Sequence, residues 1–375
     1  MTNTSIKVSY GLWLLIAAAV TAKILIKQDE RSVYPVFAAA SEHWWQGLSL
    51  YANYPDLDLY RYSPTFAVLF SPFTVDPVIG QVAWVLASYS LLFYAARLLF
   101  ATYCQSNEKL GWFLVLIALG SVRSVWNGQS NILLIALIVI ALVMITRQRW
   151  WLASGLLMAA TFIKIWPLAL CALLFVQFPK RLFLPLCIFA GTFLLLPFLT
   201  MTPSNVVDQY ASWGQSLLAN SGGRWPGFRD AWTIWEALGG SINQNYYHLV
   251  QVISGLATLA LTFQLKGAPL KLKILYIFCL WLCWQLIFGP GTERATYSVL
   301  APAFAIAAIL DERRHVWLIY PSGTLFLLFS HGSMERLFLE WIPFADTFIT
   351  AAAIIFLIWV LIHIRKPEVL KLSTA

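Results

Sequence analysis

Apolar residues in this chain gather into long runs, and the polar residues gather between them. Ten runs reach or approach membrane length: Gly11–Ile26, Val78–Tyr103, Leu110–Val122, Ile132–Ile145, Leu182–Leu199, Tyr247–Leu265, Leu272–Phe288, Ala295–Leu310, Val316–Phe329 and Ala345–Ile364. A span needs about 20 apolar residues in helical form, because no water inside a bilayer can pair with the backbone. The pattern therefore predicts a bundle of ten spanning helices. Val20-Thr21-Ala22 after the first run is also compatible with signal-peptide cleavage, but Lys23 interrupts that boundary and more spans follow, so an uncleaved anchor is expected.

Two shorter pieces add to the ten. Between Trp151 and Phe178 the run is broken by Lys164 and Pro167 into halves of about a dozen residues each, which predicts a hairpin with Lys164-Ile165-Trp166-Pro167 at its tip. The segment Ser63–Thr74 is similarly short, with proline near both ends, and reads as partly inserted. Val33, Phe37, Ala40 and Trp44 share one helical face, which is compatible with a helix lying in the membrane interface or packed on the spans.

Composition agrees: 60% of the 375 residues are hydrophobic, 11% are charged and 15% are aromatic. Mean hydropathy is +0.72. These values exclude a soluble globular domain, which carries about 25% charged residues, and a disordered chain. The net charge of +8 reflects topology rather than nucleic-acid binding. Lys109, Arg147, Arg149, Lys180, Arg181, Lys266, Lys271, Lys273, Arg313 and Arg314 fall in the short loops, which should be cytoplasmic. Of the acids only Glu108, Asp311, Glu312 and Glu368 share that side. The long loops, about 27–62, 200–246 and 330–344, then face outward, where chemistry is expected. The whole chain, 1–375, reads as one membrane-embedded domain in the plasma membrane. The five cysteines lie in or beside apolar runs without metal-ligand spacing and read as apolar thiols.

The polar clusters all map to the outer side: Asp29-Glu30, Tyr60-Arg61-Tyr62-Ser63-Pro64, Arg123 with Asn127-Gly128-Gln129-Ser130-Asn131, Lys164, Arg224–Asp230, and Gly289-Pro290-Gly291-Thr292-Glu293-Arg294. The outer basic residues are almost all arginine, the side chain suited to bidentate phosphate binding at an interface. Pairing with outer acids would equally account for them. Lys164, on an apolar hairpin, requires a phosphate or a carboxylate from another span. Asp29 and Glu30 follow the first span and are in place to act as general base or to be solvated loop acids. The Asn127–Asn131 turn and Tyr62 are candidates for sugar hydroxyls, and also for capping helix ends. His331 is a lone loop histidine within reach of the same phosphate. Asp56-Leu57-Asp58 has the form of a nucleotide-sugar metal motif, but it lies on the side away from nucleotide sugars. The chain has no P-loop, HExxH or GxSxG.

The succession Ser32–Phe37, Gly47, Leu50-Tyr51, Arg61-Tyr62-Ser63-Pro64, Asn127-Gly128-Gln129-Ser130-Asn131, then Lys164 and Pro167, resembles glycosyltransferase family 87, of the C-type glycosyltransferase superfamily. Gly289–Arg294 with Thr296-Tyr297 is similar to a pattern of one branch. The resemblance extends from about residue 27 to 302. It implies an all-α polytopic fold of about 10–12 transmembrane helices, with interfacial helices in the first outer loop. It also implies transfer of a hexose such as mannose from a polyprenyl phosphate to an acceptor hydroxyl, on the extracytoplasmic face and with inversion. In the family an acid just after the first span activates the acceptor. The register lands on Glu30, whereas the usual residue type points to Asp29, and Glu293 is a third candidate. Lys164, Arg123, Arg294, Arg61 and His331 would meet the donor phosphate. Tyr62, Asn127, Gln129, Asn131 and Glu293 would meet sugar or acceptor. The expected partners are the lipid-linked donor, a lipid or glycan acceptor and membrane lipids. No cofactor or metal is required, although a divalent ion is compatible with the chemistry.

Two other classes fit parts of the pattern. A transporter or flippase of a lipid-linked substrate would place polar groups near the midplane, on repeats, and here they gather at one face without a repeat. A non-catalytic envelope-assembly protein would leave the acids and arginines dispensable.

Overall fold

The structure is a computed structural model that describes residues 2–28, 30–104, 106–220, 227–311 and 315–365. It is helical throughout these segments. In chain order the helices are α1 (Thr2–Ile26), α2 (Tyr34–Gln46), α3 (Pro64–Phe70), α4 (Pro77–Tyr103), α5 (Leu110–Trp126), α6 (Asn131–Thr146), α7 (Trp150–Ile163), α8 (Pro167–Gln177) and α9 (Pro179–Leu195). They continue as α10 (Pro203–Asn220), α11 (Ala231–Ala237), α12 (Gln244–Phe263), α13 (Leu270–Ile287), α14 (Ala301–Leu310), α15 (Val316–Phe329), α16 (Gly332–Leu339) and α17 (Phe348–Ile364). A 3-10 turn, Arg294–Leu300, leads into α14.

Seven segments among the described residues are long and apolar enough to cross a membrane: those of α1, α4, α5, α9, α12, α13 and α17. The protein is an integral multi-pass membrane protein. The other three expected spans are shorter. α6 has 16 residues, α15 has 14, and α14 has 10 beyond its 3-10 turn. At 1.5 Å per residue α6 is about 24 Å long, less than the hydrocarbon thickness of about 30 Å. It is tolerated because nearly all of its side chains are buried against protein rather than lipid. The break at Lys164 and Pro167 produces α7 and α8, of 14 and 11 residues, as the expected hairpin.

Contacts between helix ends sort the loops into two groups. At the short-loop end the Tyr103 hydroxyl donates to Lys271 O (2.9 Å), Lys109 Nζ to Ile309 O (3.0 Å) and Gln177 Nε2 to Thr262 Oγ1 (3.0 Å). At the long-loop end Lys23 Nζ donates to Trp126 O (3.2 Å), Trp44 Nε1 to Thr200 Oγ1 (3.0 Å) and Gln251 Nε2 to Phe288 O (2.7 Å). Taking α1, α4 to α9, α12 to α15 and α17 in turn, the chain alternates between these ends with twelve passes, long and short.

α13 is the central pillar. Tyr276, Phe278 and Trp281 are all buried, and 78% of its span is enclosed, against 11% for α12 and 17% for α9. The first long loop folds onto the bundle. Phe37, Ala40 and Trp44 of α2 are buried, and the Phe37 ring packs on Tyr62, Phe66, Phe70 and Trp84. The apolar stripe of α2 therefore faces protein, not lipid. The five cysteines are free thiols.

Candidate active site

The 3-10 turn at Arg294 is held in place by four hydrogen bonds. The Ser124 hydroxyl donates to Ala295 O (2.7 Å) from α5, and Asn131 Nδ2 donates to the same carbonyl (3.3 Å) from α6. Behind it the Arg229 amide donates to Thr292 O (2.7 Å), and the buried Tyr297 hydroxyl donates to Arg229 O (2.9 Å). These bonds bring Arg294 beside Arg123, in the last turn of α5. Both guanidinium groups rest on the first residue of α16. A Cβ built on Gly332 would lie 2.5 Å from Arg294 Nη1 and 2.7 Å from Arg123 Nη1, so a side chain there would push the two guanidinium tips from their present places.

One turn further along α16, Glu335 is 2% exposed. Its Oε1 lies 2.7 Å from Arg229 Nη2, and Arg294 Nε donates to its Oε2 at 2.7 Å. Arg294 Nη2 also pairs with Oε1. Burial alone would raise the Glu335 carboxyl, but hydrogen bonds and charge from Arg229 and Arg294 outweigh it and hold the group below the ordinary range. Arg294 and Arg229 thus share one carboxylate, which offsets one of their two charges. Arg123 has no ion pair among the described residues, and its Nε is buried without a hydrogen-bond partner. Arg336 donates from Nε to Gly332 O (3.3 Å) at the same spot. His331 stands against this cluster. Burial and the Arg123 charge lower its pKa, so it is a neutral imidazole at pH 7.

Lys164 sits at the hairpin tip. Its Nζ donates to Asn131 Oδ1 (3.0 Å) and lies 5.2 Å from the centre of the Tyr62 ring. Neither partner is a carboxylate, so among the described residues its charge has no counter-ion. Asn131, 1% exposed, therefore bridges Lys164 to the carbonyl that follows Arg294. Tyr62 is positioned by Ser63, which accepts from Phe66 N (3.1 Å) to cap α3 and donates to Phe162 O on the hairpin.

The remaining expected residues are distributed around this centre. Asn127 O accepts from Val33 N (3.0 Å), which ties the Asn127–Asn131 turn to the segment after α1. Gln129 lies in that turn, its amide donating to Ser124 O (2.9 Å). Glu30 is in the joined segment, paired with Lys27 at 3.4 Å and about half exposed. Asp29 lies outside the described residues. Glu293 heads the 3-10 turn, where its amide donates to Thr296 Oγ1 (3.3 Å). Arg61 is exposed and makes no hydrogen bond or ion pair among the described residues. Between α2 and the loop after it a cavity of about 670 Å³ opens to solvent, lined by Ser32, Val36, Asn53, Asp56 and Asp58. Sequence reasoning did not single out Glu335 or Gly332. A lone acid in an outer loop carries no mark of burial, and glycine carries no mark of what packs on it.

The described residues form a multi-span helical bundle that collects arginines, a lysine and carboxylates at one end. The chain belongs to glycosyltransferase family 87, whose sequence model matches residues 60–321, and membership makes it a glycosyltransferase. No curated protein matches it. Among solved structures the crystal structure of ArnT from Cupriavidus metallidurans, bound to undecaprenyl phosphate, is similar over 95% of this chain and 77% of its own, with 13% identity and a TM-score of 0.46. A likeness of that degree carries no argument about function.

Proposed function

We propose that this glycosyltransferase moves a hexose, mannose among the candidates, from a polyprenyl phosphate to an acceptor hydroxyl on a lipid or glycan, at the outer face of the plasma membrane and with inversion. The observation that supports this reading is the pair of cations, Arg123 and Lys164, that lack a carboxylate partner among the described residues at the boundary of an apolar bundle. A charge there requires a counter-ion, and the phosphate of a lipid-linked sugar supplies one at that depth.

In this reading the acceptor oxygen attacks the anomeric carbon while Asp29 or Glu30 takes its proton. The bond from that carbon to phosphate oxygen breaks, and polyprenyl phosphate leaves. Arg123 and Lys164, with Arg294, Arg61 and the neutral N–H of His331, stabilise the charge that develops on the phosphate. Tyr62, Asn127, Gln129, Asn131 and Glu293 orient the sugar and acceptor. Phosphate is already a good leaving group, so the scheme calls for no cofactor.

The test is release of polyprenyl phosphate by purified protein given polyprenyl-phosphate-mannose and a membrane acceptor extract. Arg123→Gln and Lys164→Gln should each lower turnover by about 10²–10³-fold, the usual cost of removing a charge stabiliser. Asp29→Asn and Glu30→Gln should separate the base from its neighbour. Full turnover in all four variants and in Glu293→Gln would overturn the mechanism.

A further inference from the structure

The short-loop end carries a cluster that sugar transfer at the opposite end does not use. Asp311 closes the C-terminus of α14, His315 precedes α15, and His363 lies in the last turn of α17. One nitrogen or oxygen from each lies within 4.8 Å of the others. Asp311 and His363 are buried, and the His315 side chain is 24% exposed.

The surrounding hydrogen bonds decide which atoms face inward. His363 Nδ1 lies 2.8 Å from Trp359 O. A carbonyl only accepts, so Nδ1 carries a proton, and Nε2 is the ring atom turned toward Asp311. That Nε2 faces Asp311 Oδ1 at 3.4 Å, and His315 Nδ1 faces the same oxygen at 3.3 Å. A ring nitrogen and a carboxylate oxygen held this close in a buried setting are joined by a cation between them, a metal ion or a proton. The carboxylate is fixed from behind as well. Trp359 Nε1 donates to Oδ1 (2.9 Å) and the His315 amide donates to Oδ2 (2.8 Å). Outer hydrogen bonds of this kind, from a ligating histidine to a backbone carbonyl and onto a ligating carboxylate, are what orient metal ligands. The two spacings to Asp311 also agree. Zinc bonds of about 2.0–2.1 Å to nitrogen and oxygen put tetrahedral ligands about 3.3 Å apart.

The geometry points to a metal site: Asp311, His315 and His363 bind one first-row divalent cation, zinc above all, with a fourth position left to water. Two imidazoles and one carboxylate suit zinc, whereas calcium and magnesium take oxygen ligands. The ion joins the ends of α14, α15 and α17, three passes otherwise tied at this end by side-chain packing and the Asp311 hydrogen bonds. Its role is to fasten the bundle, not to act on substrate.

The experiment measures zinc bound by the purified full-length protein after equilibration with zinc and removal of excess, together with the visible spectrum after cobalt substitution. The wild type should hold one equivalent, give the d–d bands of tetrahedral cobalt, and melt at a higher temperature with zinc than without. Asp311→Asn and His363→Gln should each weaken zinc binding at least 10-fold. So should His315→Gln, which alters the one partly exposed ligand and spares the fold, with sugar transfer retained. A wild type that binds no stoichiometric zinc overturns the site. So does a His315→Gln variant that binds zinc as the wild type does, or a melting temperature that ignores zinc and falls with rising pH, which would place a proton instead of a metal between His363 and Asp311.

Discussion

Glu335 decides how the arginines at the long-loop end divide their work. It is shared by Arg229 and Arg294 and leaves Arg123 without an ion pair among the described residues. In the sequence these arginines are indistinguishable, since each stands in an outer segment and nothing local marks which acid it will meet. Pairing depends on which helix turn approaches which loop, and one sequence carries no record of that. The same holds for Lys164. Its need for a partner was legible from its apolar surroundings, and within the protein it meets the amide of Asn131 and the Tyr62 ring instead of a carboxylate from another span. Glu335→Gln should remove the shared counter-charge and leave two arginines buried together. Loss of one member of a buried ion pair costs about 3–5 kcal/mol, so this variant should show a clear fall in melting temperature in detergent. The linkage sign follows from the depressed carboxyl. Glu335 contributes stability above its unfolded pKa, and that contribution is lost as pH falls through the lower folded value. The wild type should therefore lose stability in acid below the ordinary carboxylate range, and Glu335→Gln should lose less there. A variant as stable as the wild type at neutral pH would contradict the shared ion pair.

At the scale of elements, the periodicity and breakers in the chain located most helices within a few residues. Pro64, Pro77 and Pro167 each open a helix, where a missing N–H costs nothing. Hydropathy did not reveal which apolar helices meet lipid. α6 and α13 are as apolar as a lipid-facing span, but they are apolar because protein surrounds them. A buried helix need not match the bilayer thickness, which is why α6 stops at 16 residues. α2 illustrates the same limit, because its stripe fits an interface or a protein surface equally well, and its fold onto Tyr62 and Trp84 depends on contacts far along the chain. The joint beneath it is tight. The Tyr34 hydroxyl donates to Phe73 O (2.5 Å), and a Cβ on Gly80 would lie 2.6 Å from that hydroxyl and closer still to the Phe73 carbonyl. Backbone cannot yield as a side-chain tip can. Gly80→Ala should force α4 away from the turn before it, at a cost of about 1–3 kcal/mol, and should reduce the yield of monodisperse protein. Tyr34→Phe, which removes the hydrogen bond without adding volume, should cost less. Equal yields for wild type and Gly80→Ala would show that the joint is looser than described.

Over the whole molecule, the sorting of loops by length and charge was the most legible feature, because insertion acts on charge and length directly. Basic residues crowd the loops around Arg147, Lys180, Lys266 and Lys273, while the uncompensated cations of the candidate site stand at the opposite end. A lipid-linked sugar can be met only at one membrane surface, so orientation determines which pool of donors the enzyme sees. Twelve passes return the chain to the side on which α1 began. In a cysteine-free background, single cysteines at Asn53 and Lys266, both exposed, report that orientation. A membrane-impermeant thiol reagent added to intact cells should label Asn53→Cys and leave Lys266→Cys unlabelled until the membrane is opened. Labelling of both in intact cells, or of Lys266→Cys alone, would put the arginine-bearing end in the cytosol. The donor would then have to be drawn from the inner leaflet, and transfer at the outer face would be ruled out.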